Sequence, residues 1–169
     1  MSKTIIAVVG LSGCGKTTMT QHIEKELDIP AIVSYTTRPM REGETNGVEH
    51  WFVDKSEMPP IPSMLAYAYF GGHHYWTTHD QIPENKACTY IIDEHALQQM
   101  IYSFGAQYKI IPVYVFRSAE DLSEIDENRR NRDLERPMID SSIYVATIEN
   151  KGTLGAFLKE SVRIFKTLI

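Results

Sequence analysis

The sequence predicts an α/β fold with a parallel sheet flanked by helices. Three observations point to it. Short runs rich in β-branched residues alternate with amphipathic stretches of helical period, the pattern of strands covered on both faces. The first such run ends in Gly10, and a glycine-rich turn leads straight into a helix. Between residues 37 and 82 this alternation gives way to tight turns and short strands, which read as a small β-rich insertion.

Residues 4–9 (TIIAVV) form the first buried strand. Residues 17–27 follow as a helix with Met19, Ile23 and Leu27 on one face, stopped by Asp28 and Pro30. Residues 31–36 read as a second strand. In the insertion, Asn46-Gly47 precedes the run 48–53 and signals a hairpin whose two turn residues both take positive φ. Pro59, Pro60 and Pro62 exclude regular helix or central strand there. Leu65, Tyr67 and Tyr69 alternate with small residues before Gly71-Gly72 turns the chain into residues 73–78, a second hairpin. Residues 87–93 return to the buried-strand pattern. Residues 94–104 form a helix with Ala96, Leu97, Met100, Ile101 and Phe104 on one stripe, and Gly105 stops it. Residues 109–116 form a strand in which Pro112 favours an edge or bulge. Ser118 and Asp121 mark a helix start. A short strand near 147–149 precedes a last helix bearing Leu154, Phe157, Leu158, Val162 and Phe165.

Composition narrows the class further. With 169 residues, 43% apolar and 23% charged, the chain fits one domain with a small insertion. At this length roughly 70% of the unfolded surface is buried on folding, so no disulfide or metal staple is required. Two cysteines, Cys14 and Cys88, do not make a disulfide framework. Seventeen basic against 22 acidic residues leave a net charge of −5, which argues against sequence-independent nucleic-acid binding. No apolar run approaches the ~18 residues needed to span a bilayer, and no signal-peptide layout opens the chain, so the expectation is a cytoplasmic protein.

Gly10-Leu11-Ser12-Gly13-Cys14-Gly15-Lys16-Thr17 fits G-x-x-x-x-G-K-[ST], a P-loop. Its glycines let backbone N–H groups turn toward phosphate oxygens, and the next helix aims its positive end at the same anion. Lys16 is expected on the β- and γ-phosphates and the Thr17 hydroxyl on Mg²⁺, with Thr18 in the same cradle. Ile91-Ile92-Asp93 is an apolar strand ending in a carboxylate, suited to hold Mg²⁺ or its waters beside the loop. Glu94 keeps a plain ATPase open, with that carboxylate polarising a water. His73, His74 and His79 have no carboxylate or cysteine at ligand spacing and read as surface histidines of a hairpin rather than a metal site.

A phosphotransferase needs a second anion site. Ser34-Tyr35-Thr36-Thr37-Arg38-Pro39-Met40-Arg41-Glu42-Gly43-Glu44 offers two guanidiniums among hydroxyls, the chemistry for a phosphate monoester. Here the sequence resembles the guanylate kinase family. The family pattern V-S-x-T-T-R-x-x-R-x-G-E-x-x-G-x-x-Y-x-F reads onto residues 33–52, and F-x-G-x-x-Y-G-[ST] onto residues 70–77. The resemblance covers the first ~95 residues well and the last third in outline. It implies ATP- and Mg²⁺-dependent phosphorylation of a nucleoside monophosphate. It places Ser34, Arg38 and Arg41 at acceptor-binding positions, with both arginines and Tyr75 on the acceptor phosphate, Thr77 as a base-reading hydroxyl and Asp93 near metal and base. A second phosphate tyrosine of the family falls at His50, its guanine-reading glutamate at Ala66 and its glycine after the tyrosine at Trp76. Alanine cannot accept from guanine, so the sequence predicts phosphate binding without strong preference for GMP.

Residues 127–136 (ENRRNRDLER) resemble the arginine-bearing lid of monophosphate kinases, with Arg129 and Arg132 the candidates for the transferring phosphoryl group. Asn150 lies where related kinases place an adenine-contacting loop. The expected organisation is a P-loop core of residues 1–36 and 83–169, a lid at about 126–140, and an acceptor-binding insertion over 37–82. The partners implied are small-molecule nucleotides. Alternatives are a kinase for another phosphorylated small molecule, a nucleotide-binding or protein-interaction module, and the ATPase.

Overall fold

Ile5, Ile6, Ala7, Val8 and Val9 have no exposed surface. Five consecutive buried apolar residues require a sheet covered on both faces. The computed structural model, which describes residues 3–118 and 140–169, has that arrangement. β1 (Thr4–Val9) is the middle strand of a five-stranded sheet. β7 (Cys88–Ile91) and β8 (Lys109–Phe116) flank it in parallel, with Val8 opposite Ile91 on one side and Val113 on the other. β2 (Ala31–Ile32) extends the sheet beyond β7, and β9 (Ala146–Glu149) beyond β8, both parallel.

Successive side chains of β1 part between two cores, as the period of a strand demands. Ile5, Ala7 and Val9 pack with Leu97 and Met100 of α2 (Glu94–Phe104). Ile6 and Val8 pack with Met19 and Ile23 of α1 (Lys16–Leu27) and with Phe157 and Phe165 of α3 (Leu154–Leu168). Asp28 ends α1 in the left-handed region at φ 54°, its N–H donating to the Glu24 carbonyl. Leu154, expected on the buried stripe of the last helix, is 58% exposed, because Thr153 caps that helix and its first turn stands clear of the core.

Pro112 lies inside β8, which has a neighbour on each side, not at an edge. A residue's N–H and C=O point the same way in a strand. The Pro112 carbonyl accepts from the Val145 N–H at 2.9 Å, so its nitrogen faces the β9 side, one residue before the Val113–Ala146 pairing begins. No ladder bond to β1 is lost there.

A second sheet of four strands, in the order β4-β3-β6-β5, comprises β3 (Tyr35–Thr36), β4 (Trp51–Phe52), β5 (Met64–Phe70) and β6 (His73–Thr78). The single strand expected over 31–36 is therefore two: its first half belongs to the large sheet and its second to the small one. β5 and β6 form the expected hairpin around Gly71 and Gly72, at φ 57° and 80°. The Asn46-Gly47 hairpin does not form. Only Gly47 takes positive φ, the Asn46 side chain instead accepts from the Phe52 N–H at 2.8 Å, and β4 pairs with β3 in parallel. Gly47 has a steric reason of its own, since a Cβ there would sit 2.8 Å from the Trp51 ring. Register slips by one at Leu65, between the Met64–Thr78 and Ala66–Thr77 pairs. Leu65 and Ala66 enter the α2-side core, so the small sheet grows out of one face of the large one.

Candidate functional site

The loop after β1 is shaped by close approaches. A Cβ on Gly10 would lie 2.1 Å from the Val115 carbonyl oxygen. Gly15, at φ 98°, caps α1 without a side-chain hydrogen bond, and the first turn of α1 carries no acidic residue. The helix therefore presents its N-terminal N–H groups and positive dipole end toward the loop, which suits an anion. Lys16 Nζ donates to the carbonyls of Gly10 and Leu11, each at 2.7 Å, and lies 3.7 Å from Cys14 Sγ. The ammonium is thus held across the mouth of the loop. Thr17 and Thr18 are exposed beside it, whereas Cys14 is fully buried and packs into the core under the loop.

Asn150 belongs to this loop in a way its spacing did not indicate. Its backbone N–H donates to the Phe116 carbonyl at 2.7 Å and its Nδ2 to the Cys14 carbonyl at 3.0 Å. It braces the loop from the end of β9.

Asp93 follows β7 at the same edge of the sheet, after the Ile92 N–H donates to the Val8 carbonyl at 3.1 Å. It caps α2, accepting from the Ala96 N–H at 2.8 Å through Oδ1. Glu94, next along, is only 6% exposed at the first residue of that helix, where the dipole favours a carboxylate. The loop donors, Thr17 and Asp93 are the hard oxygen and N–H groups that suit a nucleotide phosphate with Mg²⁺.

The second cluster is built on the small sheet and the loop after β3. Arg38 is 8% exposed. Its Nη1 donates to Glu44 Oε2 at 2.9 Å and to the Pro39 carbonyl at 2.8 Å, and its Nη2 donates to Glu44 Oε1 at 2.8 Å. Its guanidinium also lies 5.2 Å from the centre of the Phe52 ring. Glu44 further accepts from the Arg41 N–H at 2.8 Å. Arg38 holds the Glu44 carboxyl down at about 2, and Glu44 in turn raises the guanidinium above its ordinary value. Arg41 is exposed on the same loop. Ser34 Oγ lies 2.8 Å from His50 Nδ1, and the His50 ring meets Tyr75 edge-on at 5.5 Å. Burial first, then Arg38, lowers the pKa of His50.

Ser34, Arg38, His50 and Tyr75 thus come together, with Arg41 at their rim. Thr77 stands apart. It has no exposed surface, and its hydroxyl donates to that of Tyr90, also buried, at 3.2 Å. Ala66 is 9% exposed in the core, and Trp76, 2% exposed, stacks on Tyr35 at 5.6 Å. Glu44 and Phe52 are the members of the cluster to which sequence reasoning gave no role; the R-x-x-R-x-G-E spacing contained the signal for the first. Arg129 and Arg132 fall outside the described residues, as does most of the expected lid. The histidines of the second hairpin are not gathered: His74 Nδ1 meets the Tyr67 hydroxyl at 2.9 Å, and His79 Nδ1 meets that of Tyr108 at 2.8 Å. Among the described residues no group of three or more His, Cys, Asp or Glu side chains is placed to hold a metal, and no helix is long and apolar enough to cross a membrane.

A parallel sheet with a glycine loop at the carboxyl end of its central strand, opening a helix, is the P-loop NTPase fold. In agreement, the crystal structure of guanylate kinase from Anaplasma phagocytophilum superposes with a TM-score of 0.69 at 19% identity, covering 99% of this chain and 85% of that one. The guanylate kinase family model matches residues 1–151, and the chain belongs to that family. The guanylate kinase of Thermobifida fusca (strain YX) is 36% identical over 89 residues, which are 50% of this chain and 45% of that one. That of Sphingopyxis alaskensis is 33% identical over 129 residues, 72% of this chain and 57% of the relative. The chain thus spans about half the length of these curated relatives.

Proposed function

We propose that the protein transfers the γ-phosphoryl group of ATP to a nucleoside monophosphate, with GMP the acceptor that its family membership favours. The observation that carries the reading is the pairing of two anion sites on one scaffold. A P-loop is braced by Asn150 on the large sheet, and a buried arginine is fixed by Glu44 on the small sheet that grows from it. An ATPase has no use for the second site, and a pure interaction module has no use for Lys16 and Thr17.

In this reading residues 10–18 cradle the donor phosphates, with Lys16 swinging from the Gly10 and Leu11 carbonyls onto phosphate oxygens. Thr17 and Asp93 would hold Mg²⁺, which would neutralise charge on the donor phosphates. Arg38 and Arg41 fork onto the acceptor phosphate, with Ser34, His50 and Tyr75 around it. The Glu44 pair keeps Arg38 in one orientation, so little side-chain entropy is lost on binding. Arg129 and Arg132 are assigned to the lid. Catalysis then consists of positioning and charge stabilisation, with no covalent protein intermediate.

The test is ADP release from Mg²⁺·ATP measured against a panel of monophosphates. Release that requires GMP or another monophosphate is expected. Release without any acceptor would replace this reading with the ATPase, and nucleotide binding without turnover would replace it with a binding module.

A further inference from the structure

Within the acceptor cluster one ligand carries a proton equilibrium of its own. His50 stands where the family pattern has a tyrosine, and its ring is fixed from three sides. Nδ1 lies 2.8 Å from Ser34 Oγ. The Tyr75 and Phe52 rings meet it edge-on at 5.5 and 5.9 Å. Phe52 also carries the Arg38 guanidinium, 5.2 Å from its centre. The charged groups acting on His50 are Arg38 and Glu44 from the loop after β3 and Glu49 from its own segment, with the Ser34 backbone and the Tyr75 phenol beside it. Burial and Arg38 disfavour the imidazolium, and the acidic groups do not offset them. The ring therefore rests neutral at pH 7.

We propose that His50 takes up a proton when the acceptor phosphate binds, so that affinity for the acceptor, but not for ATP, strengthens as pH falls. The proposal rests on the reading of this cluster as the acceptor-phosphate site. A phosphate monoester brings a charge of roughly −1.5 to −2 at pH 7. Placed beside Arg38, it reverses the sign of the field at the ring. The imidazolium, unfavourable in the empty site, then becomes a charged donor to phosphate, and the proton comes from solvent. A tyrosine at this position gives a neutral hydrogen bond and titrates far above this range.

The sign follows from linkage. The free site binds fewer protons at His50 than the complex does, so acceptor affinity rises as pH falls between the two titrations, by at most about tenfold per pH unit for one proton. Below about pH 6 the phosphate itself takes up a proton and the trend is lost, so the window is pH 6.5–8.5.

The experiment follows the imidazole resonances of the full chain by NMR across pH, alone and with saturating GMP. His50 is identified by the peak missing in His50→Gln. Steady-state KM values for GMP and ATP are measured in parallel for wild type and His50→Tyr. The His50 titration should move up by about one pH unit or more with GMP. The KM for GMP should fall about three- to tenfold from pH 8.5 to 6.5 with the KM for ATP steady, and His50→Tyr should flatten the profile. A His50 titration unmoved by bound GMP, or the same KM profile in His50→Tyr, overturns the proposal and leaves the acceptor site standing. Failure of GMP and of every other monophosphate in the panel to bind at any pH overturns both.

Discussion

Arg38 is a charge held at 8% exposure, tolerable because the Glu44 carboxylate and the Pro39 carbonyl take three of its five donors. Two predictions belong to this residue scale. Glu44 has its carboxyl held down at about 2, so the pair stabilises the fold fully above the ordinary carboxylate value near 4.5. That contribution is lost as pH falls toward 2. Thermal unfolding should therefore show wild type losing more stability than Glu44→Gln between pH 4.5 and 2, and parallel curves would remove the pair from the stability balance. Arg41 is exposed, with its backbone on Glu44. Arg41→Met should weaken acceptor use by about 1.5–3 kcal/mol, roughly 10- to 100-fold in kcat/KM for GMP, with ATP affinity measured alone unchanged. An equal loss on the ATP side would move Arg41 to the donor site.

At the scale of elements, the P-loop depends on a residue 136 positions away in the chain. Removing the Asn150 amide leaves the Cys14 carbonyl without that donor and the loop less fixed. Asn150→Ala should raise the KM for ATP about fivefold, one hydrogen bond's worth of about 1 kcal/mol, with the KM for GMP much less affected. Direct adenine contact by Asn150 would instead make the loss depend on the base, so comparing ATP with GTP as donors separates the two roles. β7 carries the opposite case. The Thr89 hydroxyl is fully buried and, among the described residues, has no hydrogen-bond partner. Thr89→Val keeps the β-branched shape and removes an unmatched polar group, so it should stabilise by about 1 kcal/mol, read as a rise in midpoint in urea with unchanged slope.

At the scale of the molecule, the proposed donor site sits on the large sheet and the proposed acceptor site on the small one. The polar part of the proposed acceptor cluster lies at Arg38, Glu44 and His50, while Ala66, Trp76 and Thr77 are turned into packed interior. A pocket that reads a base by matched buried hydrogen bonds rejects others by about 10⁴- to 10⁵-fold. Without a carboxylate at Ala66 that penalty is absent. GMP should therefore exceed AMP in kcat/KM by about 10²-fold or less, measured in the acceptor panel. A preference of several orders of magnitude would mean that another group reads guanine.

Local sequence determined the strands and helices of the core. A run such as TIIAVV has no polar face to expose, and the glycine loop needs conformations that side chains exclude, so β1, the P-loop, α2 and β8 could be read residue by residue. The spacing around Arg38 and Arg41 was legible for the same reason, since both lie on one short loop. Long-range contacts decided the rest. Asn46-Gly47 carries a hairpin signal, yet the Asn46 side chain closes onto Phe52 and β4 pairs in parallel. Residues 31–36 look like one strand, yet two sheets divide them. Asn150 reaches the P-loop only because β9 ends beside β8. Thr77 looks available to a ligand until Tyr90, on another sheet, takes its hydroxyl into the core. Local preference acts over a few neighbouring residues, whereas these pairings depend on which distant groups the packed core brings within hydrogen-bond reach.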